Sequence, residues 1–327
     1  MFMDNQKSNL PVLVLVIPCY NEASVLPVTA PMFLKEVDYC ISSQLIDERS
    51  CILFVDDGSC DDTWNIICRL AGQSVKYKGI SLSRNRGHQN ALLAGLSEAV
   101  NFGDVTVTID CDGQDDIGAI TEMLREYHSG SEVVYGVRSD RSTDTWFKKQ
   151  SAQFFYRLMK SLGAEVVYNH ADYRLLSSKV LRCFQDYKEV NLFLRGIFPL
   201  IGFKSSVVYY QRKERLGGQS HYPLKKMLSF AFDGITSLSI KPIELIVVFG
   251  AIVSFAGFTG IIWAIVRALM SYSVPGWASI ICMICFFSGI QLLSLGVIGI
   301  YIGKTYLEAK HRPRFVISSR TWKTAIK

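Results

Sequence analysis

The sequence predicts an α/β protein built on a mostly parallel sheet and tied to a membrane. Three observations predict it. Strand-sized apolar runs recur through the first half of the chain, with helically spaced stretches between them. Acidic and amide side chains cluster directly after those runs, and two long segments near the C-terminus carry no charge at all.

Val12 to Ile17 (VLVLVI) is an apolar run that closes in the turn PCYN. Cys51 to Ser59 (CILFVDDGS) and Val105 to Gly113 (VTVTIDCDG) repeat the design, and Glu132 to Ser139 (EVVYGVRS) is a shorter version. Between them Thr63, Ile66, Ile67 and Leu70, then Ala91 to Val100, keep helical spacing. Continuous apolar strands alternating with helices indicate a sheet covered on both faces. Such sheets bind ligands beyond the carboxyl ends of their strands. Asn21-Glu22, Asp56-Asp57 and the carboxylates Asp110, Asp112, Asp115 and Asp116 all fall at those ends. Neither a GxGxxG fingerprint after the first strand nor a P-loop is present, which argues against hydride transfer and NTP hydrolysis.

From Leu245 to Val266, 22 residues pass without a charge, and from Trp277 to Ile302 another 26. At ~1.5 Å per residue each crosses a ~30 Å hydrocarbon layer. The connection Arg267 to Gly276 breaks at Pro275-Gly276. Residues 1–9 do not read as a signal peptide, so the first 240 residues are expected to stay in the cytoplasm. Lys225, Lys226 and Lys241 precede the first span. Seven basic residues (Lys304, Lys310, Arg312, Arg314, Arg320, Lys323, Lys327) follow the second against Glu308 alone, so the tail accounts for the chain's net charge of +6. By the positive-inside rule both ends of the hairpin face the cytoplasm of the cell's inner membrane. Nine scattered cysteines suit a reducing compartment, and Cys282-x-x-Cys285 lies mid-span as lipid-facing or packing residues. Between Pro223 and Ile240 an apolar stripe (Leu224, Met227, Leu228, Ala231, Ile235, Leu238) predicts an amphipathic helix, lying either in the membrane interface or against the preceding domain.

Asp110-x-Asp112 at a strand end suits Mg²⁺ or Mn²⁺ bound to a diphosphate, with Gln114 adding a carbonyl oxygen. The triplet alone describes a solvated acidic turn equally well. Its context is more specific. IPCYNE (Ile17 to Glu22), VDDGSCDDT (Val55 to Thr63) and LSRNRGHQNALLAGL (Leu82 to Leu96) precede it in order. Together these segments resemble the inverting nucleotide-sugar glycosyltransferases of family two, with their GT-A fold. YGVRSDRSTDTWFKKQSAQFFYRL, ADYRLLS, NLFLRGIFPLIG, RKERLGGQSHY, GITSLSIKP and GVIGIYIGKTYLEAKHRPRF extend the resemblance over nearly the whole chain. They are similar to polyprenyl-phosphate glycosyltransferases close to dolichol-phosphate mannose synthase, and most of all to bacterial and phage bactoprenol glucosyltransferases. Arg86 stands where the family often has an aromatic residue, and QDDIGAI lacks the usual proline after the acidic stretch.

The resemblance implies a GT-A catalytic domain over residues 1–222, a juxtamembrane helix over 223–242, a hairpin over 243–303 and a basic tail over 304–327. The implied reaction moves a sugar, glucose first among several, from a UDP-sugar to undecaprenyl or another polyprenyl phosphate with inversion. Asp112 and Gln114 are the implied metal ligands, with Asp110 beside them. Pro18, Tyr20, Glu22, Asp57, Arg84, Asp110 and Asp112 frame the donor, while Asp56 is either a ligand or a cap of its own turn. Asp172 in ADYR is the implied base or orienting carboxylate, or else holds the sugar or an arginine. Arg138, Arg195, Arg212 and Arg215 are the implied clamp on the acceptor phosphate, and Lys225 and Lys226 meet lipid headgroups. His88 and His221 lie in motif segments without an assigned role beyond hydrogen bonding. A flippase, a second glycosyltransferase and a homo-oligomer packed through Gly299 and Gly303 are the further partners implied, and no nucleic acid. The missing Gln-x-x-Arg-Trp segment separates the chain from processive polysaccharide synthases. Gly113-Gln114 after the Asp-x-Asp separates it from phosphatases that use such a pair as nucleophile, and intact Asp110, Asp112 and Asp172 argue against a non-catalytic scaffold.

Overall fold

A computed structural model describes residues 10–139, 170–187, 189, 194–212, 241–270 and 276–322. Eight strands form one sheet: β1 (Leu13–Cys19), β2 (Cys51–Asp56), β3 (Tyr77–Leu82), β4 (Val105–Thr108), β5 (Val133–Arg138), β6 (His170–Ser177), β7 (Ser205–Tyr210) and β8 (Ile317–Arg320). Their order is β7-β5-β6-β4-β1-β2-β3-β8. The pairs β1–β2, β1–β4, β2–β3 and β5–β7 are parallel, whereas β6 runs antiparallel between β4 and β5 and β8 antiparallel to β3. Strand order reverses at β1, between β2 and β4, so the crevice beyond these carboxyl ends is the place for a ligand.

Helices α1 (Leu26–Ser42), α2 (Thr63–Gln73) and α4 (Ala119–His128) pack on one face, and α3 (His88–Ala99), α5 (Ser178–Phe184) and α6 (Leu194–Ile201) on the other. β1 shows why its sequence has no polar alternation. Leu13, Leu15 and Ile17 enter the core with Phe33 and Ile120, while Val14 and Val16 enter the opposite core with Leu92 and Phe198. Each fully buried aliphatic side chain contributes ~1.5–3 kcal/mol, so both faces must be apolar. Helix α3 lies especially close: a Cβ on Gly95 would stand 2.4 Å from Val16 Cγ1. That approach brings the N-terminus of α3 over the strand ends.

The chain then leaves the domain through α7 (Lys241–Leu269) and α8 (Trp277–Ala309). Their apolar windows, Ile243–Gly260 and Phe286–Ala309, bury none of their residues. Phe255 and Leu293 are more than 70% exposed. Apolar helices open on their surface have lipid as their natural solvent, and the protein is membrane-associated. The expected juxtamembrane helix over 223–240, with Lys225 and Lys226, lies outside the described residues.

Within the span expected as a basic tail, residues 304–322 are folded into regular structure. Helix α8 continues to Ala309, and β8 then joins the sheet beside β3. Ser83 N donates to Val316 O at 2.9 Å and Gly79 N to Thr321 Oγ1 at 2.9 Å. Arg320 pairs with Glu98 at 2.6 Å, Arg314 donates to the Tyr187 carbonyl at 2.8 Å, and Trp322 packs edge-on against Phe102. Two of these cations therefore bind the segment to α3 and to the chain after α5, and a polar tetrapeptide (ISSR) becomes a strand because β3 supplies an edge.

Candidate active site

The exits of β1 and β2 are laced together. Asn21 takes a left-handed conformation (φ 55°), its N–H donating to Ser59 Oγ at 3.0 Å and its Oδ1 accepting from Cys60 N at 2.9 Å. Glu22 N donates to Thr63 Oγ1 and Ala23 N to Asp61 Oδ2. Asp56 spends one oxygen on Ser59 N and the other on Ser81 Oγ, which is the turn-capping arrangement. Asp57 accepts from Arg86 N and Gly87 N, each at 2.8 Å, and so holds the loop that follows β3. Burial raises its pKa, and those two amides oppose the rise. Gly58 makes the two loops touch, because a Cβ there would sit 2.5 Å from the Arg84 carbonyl carbon. Pro18 is buried at the end of β1; Tyr20, 45% exposed, and Arg84, also exposed, border this cradle.

The acidic turn follows β4. Asp112 is buried and accepts from Gln114 N at 3.1 Å, while Gln114 Oε1 receives a hydrogen bond from Arg212. Asp115 accepts from the Tyr210 hydroxyl at 2.8 Å and lies 3.6 Å from Arg138. Its pKa is raised by burial and then by the charge of Asp110, with Arg138 and Tyr210 pulling the other way. Burial and Asp115 push the Tyr210 hydroxyl up in turn, so it stays a donor. Burial works against the charge of Arg138, but Tyr210 and Asp115 outweigh it and raise its pKa.

Strand β6 carries Asp172 to this turn. The antiparallel ladder ends with Thr108 opposite Arg174, which leaves Asp110 and Asp172, each two residues further on, at the same end of the two strands. Thr108 Oγ1 donates to the Asp172 carbonyl at 2.6 Å. Arg174, wholly buried, grips Asp172 Oδ1, donates to Leu194 O at 3.1 Å and lies over the Phe198 ring. The other oxygen, Oδ2, is 3.5 Å from His88 Nε2, which is also 3.6 Å from Asp110 Oδ1. His88 is the first residue of α3, so the positive end of that helix dipole stands beside both carboxylates.

Asp110, Asp112, Gln114, Arg138, Asp172 and Arg212 thus converge on one strand-end crevice, beside the cradle of Pro18, Tyr20, Glu22, Asp57 and Arg84. Arg195 lies in α6 with its side chain outside the description, and Arg215 and His221 fall outside the described residues. Arg174 and Tyr210 are the members that sequence reasoning passed over. Among the described residues no three His, Cys, Asp or Glu side chains close a metal cage. The crevice offers the carboxylates of Asp110 and Asp112, the number that Mg²⁺ takes from protein when a diphosphate supplies the rest.

Residues 14–184 match the Glycosyl transferase family 2 domain. The chain belongs to that family. It is 49% identical to the uncharacterized glycosyltransferase YkoT of Bacillus subtilis (strain 168), over 95% of this chain and 92% of that protein. It is 36% identical to the bactoprenol glucosyl transferase of Shigella phage SfV, over 94% and 99%. The prophage bactoprenol glucosyl transferase homolog of Escherichia coli (strain K12) is 35% identical over 93% and 97%. Among solved structures, glucosyl-3-phosphoglycerate synthase from Mycobacterium tuberculosis, in complex with Mn²⁺, UDP and phosphoglyceric acid, aligns with a TM-score of 0.43 and 18% identity over 70% and 77%. The family 2 domain is a GT-A-like fold with a mixed, mostly parallel sheet, and the family 2 chain is an enzyme of glycosyl transfer.

Proposed function

We propose that this family 2 enzyme moves a hexose, glucose first, from a UDP-sugar to the phosphate of a polyprenyl lipid at the cytoplasmic membrane face. The observation that carries the reading is the meeting of Asp110 and Asp172 at a strand-end crevice, in a chain that is alignable to bactoprenol glucosyl transferases through both apolar helices. The cradle between the β1 and β2 exits takes the nucleoside, with Tyr20 and Glu22 at its rim and Asp57 fixing its loop. Asp110 and Asp112 would hold Mg²⁺ or Mn²⁺, which when bound offsets the charge that gathers on the leaving diphosphate. Arg212 holds Gln114, and would free it for the metal on turning to the acceptor phosphate.

The acceptor needs little activation. A phosphate monoester has its second pKa near ~6, so its oxygen is largely ionised at neutral pH. That oxygen attacks the anomeric carbon from the face opposite the leaving group, the bond to UDP breaks, and the configuration inverts. Asp172 serves as the orienting carboxylate, held by Arg174, while Arg138 and Arg212, with Arg195 and Arg215, draw the acceptor dianion toward the donor. Attachment to the membrane follows from the acceptor, whose polyprenyl chain stays in the bilayer. Pairing of β8 with β3 supports a hairpin whose two ends return to one side, and the lysines and arginines at those ends favour the cytoplasmic side. A flippase and a second transferase that uses the lipid-linked sugar complete the proposed pathway.

The test is UDP release by purified protein in detergent. It is expected from UDP-glucose only when polyprenyl phosphate and a divalent metal are both present. Release that ignores the lipid, or polymer formation without it, would defeat the reading.

A further inference from the structure

The geometry points to His88 as the residue that positions Asp172 against the donor side of the site, an inference that rests on the proposed reaction. Asp172 has two oxygens with different surroundings. Oδ1 is taken by Arg174, which is itself fixed by Leu194 O and the Phe198 ring. Oδ2 faces His88 Nε2 at 3.5 Å, and the same nitrogen stands 3.6 Å from Asp110 Oδ1. One imidazole nitrogen therefore lies between the carboxylate of the acceptor side and the first carboxylate of the Asp-x-Asp turn.

The placement is built rather than incidental. His88 opens α3, whose preceding residue Gly87 is tied by its amide to Asp57, and Gly95 seats the helix against β1. Gln89, next in the helix, accepts from Leu194 N at 3.4 Å, and Leu194 also accepts from Arg174. The side chain of Gln89, beside His88, and the arginine that grips Asp172 thus share Leu194 as a partner. Asp110 and Asp172 carry like charge on either side of one imidazole nitrogen, and an N–H turned from that nitrogen toward Oδ2 aims it. The side chain is 43% exposed, so it also faces the space where the two phosphates must meet. Arg174 thus fixes one oxygen of Asp172 while His88 stands beside the other, so the loss of His88 changes the aim of Oδ2 without disturbing the nucleoside cradle.

The test is a double-mutant cycle on lipid-linked sugar transfer. His88→Ala is expected to lower kcat about thirtyfold alone and no more than about threefold on top of Asp172→Asn, a coupling of about tenfold. The KM for the UDP-sugar and the affinity for UDP should stay within about twofold of wild type, and His88→Gln, which keeps a side-chain donor, should recover most of kcat. A residue needed only for folding of the loop would weaken UDP binding, and glutamine would not rescue it. Additive effects of the two substitutions, or a loss of UDP affinity matching the loss of kcat, overturn the inference alone. A folded wild-type protein that transfers no sugar overturns the proposed reaction and the inference with it.

Discussion

Gly58→Ala probes the contact on which the proposed nucleoside cradle depends. Gly58 has φ +65°, where an L side chain costs ~1–2 kcal/mol. Its new Cβ would also stand 2.5 Å from Arg84 C, 2.7 Å from Arg84 Cα and 2.7 Å from Asn85 N. These are backbone atoms, so no rotamer change relieves the clash, and one loop must move away from the other at the ~1–3 kcal/mol cost of overpacking. The sum is about 3 kcal/mol, or a fall in Tm of roughly 6–12 °C for a domain of this size. Because the displaced segment precedes the amides bound by Asp57, UDP affinity should fall by about tenfold or more. Gly87→Ala is the control: its φ is +85°, yet nothing lies within 4 Å of the added Cβ. Its cost is all backbone, ~1–3 kcal/mol at φ 85° and ψ 156°, with no clash between the two loops. Differential scanning fluorimetry and UDP titration in detergent read both variants. An unchanged Tm for Gly58→Ala, or a lowered Tm with UDP affinity intact, would refute the reasoning.

Asp112→Asn should abolish metal-dependent UDP release while leaving the Tm within a few degrees, and near-normal turnover would remove Asp112 from the metal site. Chelation of the wild-type enzyme should stop transfer reversibly, with Mg²⁺ or Mn²⁺ restoring it; turnover undiminished by chelator would count against the Asp110-Asp112 assignment. A stop codon at Ile317 removes β8, including the Thr321–Gly79 bonds and the Arg320–Glu98 pair. Offset by the entropy of the ordered segment, the loss is about 2 kcal/mol, read as a lower Tm, and UDP binding should weaken because β3 leads into the cradle. A truncated protein with unaltered Tm and UDP affinity would show β8 to be dispensable.

The parts of the fold legible in sequence are those set by burial on both faces. β1, β2, β4 and β5 are continuous apolar runs because helices cover them above and below. β3 was hidden by Lys78 and Gly79 within YKGISL, and β7 by its position at the sheet edge, where Ser205, Val207 and Tyr209 stay exposed. β8 carries no strand signal of its own, since its partner lies more than two hundred residues earlier. The site divides in the same way. Carboxylates at the ends of apolar strands announce themselves locally, so Asp57, Asp110 and Asp112 were visible. The approach of Asp172 and Asp110 to one histidine depends on the antiparallel insertion of β6, which nothing local encodes. Arg174 was obscure for a related reason: a buried arginine reads as a surface residue until Asp172, Leu194 and Phe198 are known to surround it. His88 had a motif but no geometry, and its place between two carboxylates emerges only when α3 is laid over the strand ends.

The measurement that tests the central claim most directly is sugar transfer into lipid. Purified protein in detergent receives undecaprenyl phosphate, Mg²⁺ or Mn²⁺, and a panel of radiolabelled UDP-sugars, and the organic extract is counted and its product mass determined. The account predicts label from UDP-glucose, in a product with the mass of one hexose on the polyprenyl phosphate. Folded protein that leaves all label in the aqueous phase, whichever donor is offered, would contradict it.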